Sequence, residues 1–117
     1  MSPSAGPDPR EASDAREVPD ARDNYVESVL AAVERIPAGR VASYGDIAEY
    51  VGSGGPRQVG RVMALYGSSV PWWRVVRADG QPARCHELEA LGRLRAEGTP
   101  LRGDRVQMSQ ARMITWD

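Results

Sequence analysis

Residues 43–66, SYGDIAEYVGSGGPRQVGRVMALY, decide the fold. Ser43 opens a helix, and Asp46 stands at its third position, where an acid can reach back to the free N–H of the cap residue. Ile47, Ala48 and Val51 fall on one face. Gly52 stands where a helix ends in the left-handed conformation that glycine adopts without a Cβ penalty. Gly-Ser-Gly-Gly at 52–55 is a connecting turn. Pro56 suits the first position of the next helix, because its missing N–H would have no helical partner there. That helix is predicted to run to about Tyr66, with Val59, Val62 and Met63 apolar, and Gly67 ends it. Two short helices joined by a Gly-rich turn form a helix-turn-helix pattern. Many helical hairpins share it, so the pattern alone decides no function.

Working outward, residues 24–36 (NYVESVLAAVERI) place Tyr25, Val26, Val29, Leu30, Val33 and Ile36 on one helical face. Asn24 with Glu27 three residues later predicts the start of that helix. Pro37-Ala38-Gly39 is a turn. On the other side, residues 70–76 (VPWWRVV) read as extended, and Asp79-Gly80 is a turn signal. Residues 86–97 are expected to form a fourth helix, with Leu88, Leu91 and Leu94 apolar and Gly98 as its stop. Residues 105–117 fit a short strand or a tail packed through Trp116. Residues 1–23 are rich in Pro, Ala, Ser and Asp, and Val18 is their one branched aliphatic residue. Such a segment buries too little apolar surface to offset its ordering entropy, so 1–23 is expected to be a disordered tail and 24–117 the folded domain.

The chain has 117 residues, about one domain's worth. Its 15 basic residues are all Arg, against 16 acids, for a formal charge of −1. The balance is uneven along the chain. Acids dominate residues 1–23, and Arg dominates residues 35–84. A basic stretch is either a nucleic-acid footprint or a solvated Arg-rich surface. No apolar run approaches the roughly 18–20 residues that span a membrane, and the first residues lack the apolar core of a signal peptide. One Cys excludes an internal disulfide, and one Cys with one His falls short of a thiolate and imidazole zinc site. The expectation is a small soluble intracellular protein without metal or cofactor.

Three segments then carry a resemblance: Gly-Arg-Val-Ala-Ser-Tyr-Gly-Asp-Ile-Ala at 39–48, Pro-Arg-Gln-Val-Gly at 56–60 and Pro-Trp-Trp-Arg-Val-Val at 71–76. From residue 24 onward the chain resembles the DNA-binding domain of the O6-alkylguanine-DNA alkyltransferases, in the order and spacing of that family. The family's active site reads Pro-Cys-His-Arg at the third segment, and the alkyltransferase-like proteins read Pro-Trp-His-Arg. Here the two central positions are Trp72 and Trp73. The resemblance implies an α-rich fold with a short β element, a winged-helix-like, helix-turn-helix DNA-binding domain of the alkyltransferase type.

An alkyltransferase needs a thiolate, because the thiolate is the reactive form. Trp72 stands where the thiol would be and Trp73 where the activating imidazole would be, so no catalytic residue is expected. Glu97, in Ala-Glu-Gly at 96–98, lines up with the family's supporting Glu. Cys85 and His86 are adjacent and lie outside the motif, and neighbouring side chains on a helix diverge. What the resemblance leaves is binding machinery. Arg57 matches the Arg that enters the stack in place of an extruded nucleotide, a role suited to a planar cation. Tyr44 matches the Tyr that helps rotate the nucleotide outward. Gly60 matches the small residue where the helix nears DNA, with Gln58 and Arg61 beside it. Pro71, Trp72, Trp73 and Arg74, with Tyr44, are the expected lesion pocket, with Trp72 the contact wall, Trp73 packed behind it against Glu97, and Arg74 bracing the turn.

The implied function is non-enzymatic binding of O6-alkylguanine in double-stranded DNA, by minor-groove docking of the helix-turn-helix and base flipping. The implied setting is a cytoplasmic or nucleoid-associated monomer that hands the lesion to nucleotide excision repair proteins. Two alternatives stay open: a degenerate DNA-binding or protein-interaction module without lesion specificity, and an active alkyltransferase using Cys85.

Overall fold

Ala21–Glu34 form the first helix, α1, of a computed structural model that describes residues 21–113, 115 and 116. Val29, Ala32, Val33 and Ile36 recur at the helical spacing and are fully buried, with Tyr25, Val26 and Leu30 half-buried beside them. The start of α1 corrects the predicted one. Ala21 and Arg22 are good helix formers, and Asp23 complements the positive end of the helix dipole, so the helix extends back through Asn24 instead of being capped by it. The boundary drawn at residue 23 therefore moves into a helix. The tail expected over the preceding residues, 1–20, lies outside the described residues.

Ala42–Ser43 form β1, Tyr44–Val51 form α2 and Pro56–Tyr66 form α3. The α2 start is a complete capping box. Ser43 Oγ accepts from the Asp46 N–H at 3.0 Å, and Asp46 Oδ2 accepts from the Ser43 N–H at 3.0 Å. Gly52 closes α2 with φ +89°. In the turn that follows, Gly54 has φ +71°, and a Cβ there would collide with the Tyr25 hydroxyl. Pro56 opens α3, and the Gln58 side-chain oxygen accepts from the Gly55 N–H at 2.9 Å. Val59 and Val62 turn inward and join Ile47 and Ala48 of α2 in the core that α1 also enters.

Residues 70–76 are only partly extended. Trp72–Arg74 make a turn of 3₁₀ helix, closed by the Arg74 N–H on the Pro71 carbonyl at 3.0 Å, and Val75–Val76 alone form a strand, β2. β2 runs parallel to β1, with Ala42 opposite Val75 and Ser43 opposite Val76. Glu87–Ala96 form α4. Its inward face is Ala90, Leu91 and Leu94, whereas Leu88, expected to share that face, is 87% exposed. α4 ends in a Schellman motif: the Gly98 N–H bonds the Arg95 carbonyl, the Thr99 N–H bonds the Leu94 carbonyl, and Gly98 has φ +78°. This ending fixes Glu97 at the helix terminus.

Leu101–Arg102 and Arg105–Val106 form a small antiparallel hairpin, β3 and β4, and Met108–Ala111 form a short helix, α5. Residues 111–113 then run beside Val41, with the Val41 N–H on the Ala111 carbonyl and the Met113 N–H on the Val41 carbonyl. Arg112 Nη2 and Nε bond Asp46 at 2.7 and 2.9 Å. Trp116 stacks on Tyr50 of α2 with ring centroids 4.3 Å apart. No helix among the described residues is long and apolar enough to cross a membrane.

Candidate functional site

The 3₁₀ turn Trp72–Arg74 is held by one carboxylate. Trp73 Nε1 donates to Glu97 Oε2 at 2.9 Å. Arg74 Nε donates to Glu97 Oε1 at 3.1 Å, and Arg74 Nη2 to Oε2 at 2.6 Å, a two-pronged contact that matches guanidinium to carboxylate. Arg74 Nη1 reaches across to the Ile36 carbonyl at 2.8 Å, tying the turn to the end of α1. The Arg74 and Glu97 side chains are only 16% and 15% exposed. Burial works to raise the Glu97 carboxyl, but the hydrogen bonds from Arg74 and Trp73, the Arg74 charge and the Gly39 N–H outweigh it. The carboxyl therefore lies below the usual carboxylate range.

Two cations lie over the Trp73 ring. The Arg93 guanidinium lies 4.5 Å from its ring centroid and that of Arg74 lies 5.5 Å away. Arg93 is itself bonded to Glu89. The indole, the two guanidinium groups and Glu97 thus form one mutually satisfied unit behind the turn.

Trp72 is different. It is half-buried, and its ring makes edge contacts with Trp73 (5.7 Å, 86°) and His86 (5.7 Å, 61°), with no side-chain hydrogen bond among the described residues. A face of a half-exposed indole that is committed to no polar partner can stack on a planar apolar ligand. Sequence reasoning missed the His86 contact, having set Cys85 and His86 apart from the motif. Cys85 takes φ +73°, a left-handed turn that non-glycine residues seldom adopt, and the chain reverses there. No local signal in the sequence announces that turn. Cys85 itself is exposed.

The helix-turn-helix presents the remaining candidates. Tyr44 is half-buried at the start of α2, where burial raises its hydroxyl pKa and the Arg77 charge opposes the rise. A Cβ on the adjacent Gly45 would sit 3.7 Å from Pro56 Cγ, so the first turns of α2 and α3 abut. Arg57 and Arg61, one helical turn apart, are both exposed. A Cβ on Gly60 would meet nothing within 4 Å, so this side of α3 is open. Gln58 is exposed, and its side-chain oxygen is committed to the cap of α3. The structure thus gathers Tyr44 and the start of α3 at one corner, and Pro71, Trp72, Trp73 and Arg74 in one turn. Among the described residues, no three His, Cys, Asp or Glu residues cluster as a metal site.

Residues 24–99 match the family model described as the DNA-binding domain of 6-O-methylguanine DNA methyltransferase. The chain is 39% identical over 77 residues to a DNA base-flipping protein of Escherichia coli K12, covering 63% of this chain and 60% of the relative. It is 36% identical over 62 residues to a DNA base-flipping protein of Vibrio parahaemolyticus, covering 50% of this chain and 62% of the relative. The matched region therefore spans about three-fifths of each of these relatives. Alkyltransferase-like protein 1 of Schizosaccharomyces pombe is 37% identical over 86 residues, which cover 68% of this chain and 80% of that protein. A crystal structure of the S. pombe protein Atl1 with damaged DNA containing O6-carboxymethylguanine superposes with a TM-score of 0.71 at 30% identity, over 80% of this chain and 97% of that one. With its helix-turn-helix, its parallel strand pair and its Pro-Trp-Trp-Arg turn in that setting, this chain belongs to the family of the 6-O-methylguanine DNA methyltransferase DNA-binding domain.

Proposed function

We propose that this chain binds O6-alkylguanine in duplex DNA, extrudes the altered base and holds it without taking the alkyl group. In this reading α3 enters the minor groove, Arg57 fills the gap left in the stack, and Tyr44 borders the path of the rotating nucleotide. The base rests against Trp72. Extruding a base costs a few kcal/mol, less for a damaged pair, and one base–aromatic stack returns about 1–3 kcal/mol. An O6-alkyl group weakens pairing and adds apolar surface, so the balance favours the lesion over guanine.

The observation that carries this reading is the division of labour within the turn. Glu97 is fully engaged by Trp73 and Arg74, which leaves it no imidazole or thiol to activate, while the Trp72 indole makes no side-chain hydrogen bond among the described residues. The likeness to a protein crystallised on O6-carboxymethylguanine DNA supports the choice of ligand. In the same reading the protein acts as a monomer in the cytoplasm or nucleoid. The held lesion then serves as a mark for nucleotide excision repair.

The test is the affinity ratio for an O6-methylguanine duplex over the same unmodified duplex, at stated salt, because phosphate contacts make affinity salt-dependent. Clear preference for the lesion is expected, and equal binding would leave a DNA-binding module without lesion specificity. Mass spectrometry after incubation with excess lesion duplex should find no adduct. A methyl group on Cys85 would replace the binding reading with an alkyl transfer.

A further inference from the structure

We propose that Arg77 is a further DNA contact, a guanidinium that takes a phosphodiester oxygen beside the nucleotide turned toward Trp72. The proposal rests on the binding reading above and adds a residue that the helix-turn-helix and the Pro-Trp-Trp-Arg turn do not include.

The placement follows from strand register. Ser43 pairs with Val76 in the parallel ladder, so the next residues, Tyr44 and Arg77, emerge side by side where β1 gives way to α2. Gly45 abuts Pro56, which brings the first turn of α3, and with it Arg57, to the same corner. Tyr44 and Arg77 are therefore neighbours, and the first turn of α3, which carries Arg57, lies close to them although the three residues come from separate segments. The influence of the Arg77 charge on the Tyr44 hydroxyl agrees with that proximity.

Arg77 is also held differently from the arginines that serve the fold. Arg74, Arg93 and Arg112 are each neutralised by a carboxylate: Glu97, Glu89 and Asp46. Arg77 has no such partner among the described residues. Its Nη1 donates instead to the neutral Gln81 side chain at 2.9 Å. The nearby acid, Asp79, accepts from the Gln81 N–H at 3.1 Å. Nε and Nη2 make no hydrogen bond among the described residues, so a full positive charge and open donors remain.

The turn that carries the residue is rigid. The Arg77 N–H bonds the Gln81 carbonyl, the Gly80 N–H bonds the Arg77 carbonyl, and the Val106 N–H bonds the Gly80 carbonyl, each at 2.8 Å. Gly80 has φ +91°, and any Cβ there would strike the Val106 backbone. A half-buried cation, oriented by an amide and held by a fixed turn, is a pre-ordered receptor for a phosphate oxygen.

The test measures binding of the Arg77→Gln protein to an O6-methylguanine duplex and to its unmodified counterpart across a salt series. A backbone contact weakens both duplexes alike, by roughly tenfold near physiological salt. It also lowers the slope of log affinity against log salt by about 1, with the lesion-to-normal ratio unchanged. Arg77→Lys keeps the charge and should keep the slope. An unchanged slope in a folded Arg77→Gln protein overturns the proposal, as does a loss confined to the lesion duplex. Should Arg77→Gln fail to fold, Arg77→Lys and Gln81→Ala decide the matter. A parental slope in Arg77→Lys, with a measurable and equal loss on both duplexes in Gln81→Ala, which frees the guanidinium that the amide orients, supports it, and parental affinity in Gln81→Ala overturns it. A large drop in the lesion-to-normal ratio in either protein overturns it. A parent protein that binds neither duplex overturns the binding reading itself.

Discussion

Replacing Glu97 with alanine removes the acceptor shared by Trp73 Nε1, Arg74 Nε and Arg74 Nη2. The guanidinium it leaves behind is 16% exposed, so water replaces the lost bonds only in part. Breaking a buried ion pair from one side destabilises by about 3–5 kcal/mol. Arg74 keeps the Ile36 carbonyl and some solvent, which places the expected loss near the lower limit, about 3 kcal/mol. Urea unfolding measures it as a fall in midpoint at constant m-value. The pH dependence supplies a second check. The folded pKa of Glu97 lies below its ordinary value of 4.5, so its stabilisation is complete above that value and is lost as pH falls through the lowered one. The stability gap between the parent and Glu97→Gln should therefore be constant at neutral pH and narrow under acid. A midpoint unmoved by Glu97→Ala, or a gap that persists once the carboxyl is protonated, would refute the reasoning.

Trp72→Ala should lower affinity for O6-alkylguanine duplex with little change in melting temperature, whereas Trp73→Ala should destabilise by about 3 kcal/mol. That figure is the low end for truncating a buried Trp, because this indole is only half-buried. Calorimetry alongside binding isotherms separates the two, and the reverse pattern would mean that the two rings have been assigned the wrong way round. Arg57 is exposed and has no ion-pair partner among the described residues, so Arg57→Ala should lose most lesion affinity and keep the parent's melting temperature. Lesion binding as tight as the parent's would exclude an intercalating role. Asp46→Ala removes the acceptor for the Ser43 N–H and the partner of Arg112, and should cost about 2 kcal/mol in denaturant unfolding.

The helix-turn-helix was legible because its instructions are local. Ser43 and Asp46, Gly52, and Pro56 each act within one turn of chain, and the structure uses them at those positions. The bond between Trp73 and Glu97 was legible only because a family likeness brought residues 24 apart into one thought. What escaped was set by distant neighbours. Trp72–Arg74 leave the extended conformation where Glu97 and the Ile36 carbonyl take up the Trp73 and Arg74 side chains. Leu88 repeats at the helical spacing but starts α4 before the helix reaches the core. The reversal at Cys85 that carries His86 onto Trp72 needs a conformation its residue type disfavours, and no pattern foretells it.

The strap formed by residues 111–113 has a bearing on how the chain assembles. Asp46 caps α2 from within its own turn, yet it also takes Arg112, 66 residues away, and Arg40 reaches the Arg112 carbonyl across 72. Contacts of such separation form late, since the loop they close must first give up its freedom. On the ribosome α1, α2 and α3 emerge long before Arg112 does. The helix-turn-helix can then close its core with α1 first, and Asp46 receives its second partner only when the strap arrives. Of the two supports at the start of α2, the one from Ser43 can form as that turn is made, and the one from Arg112 only after the strap has docked.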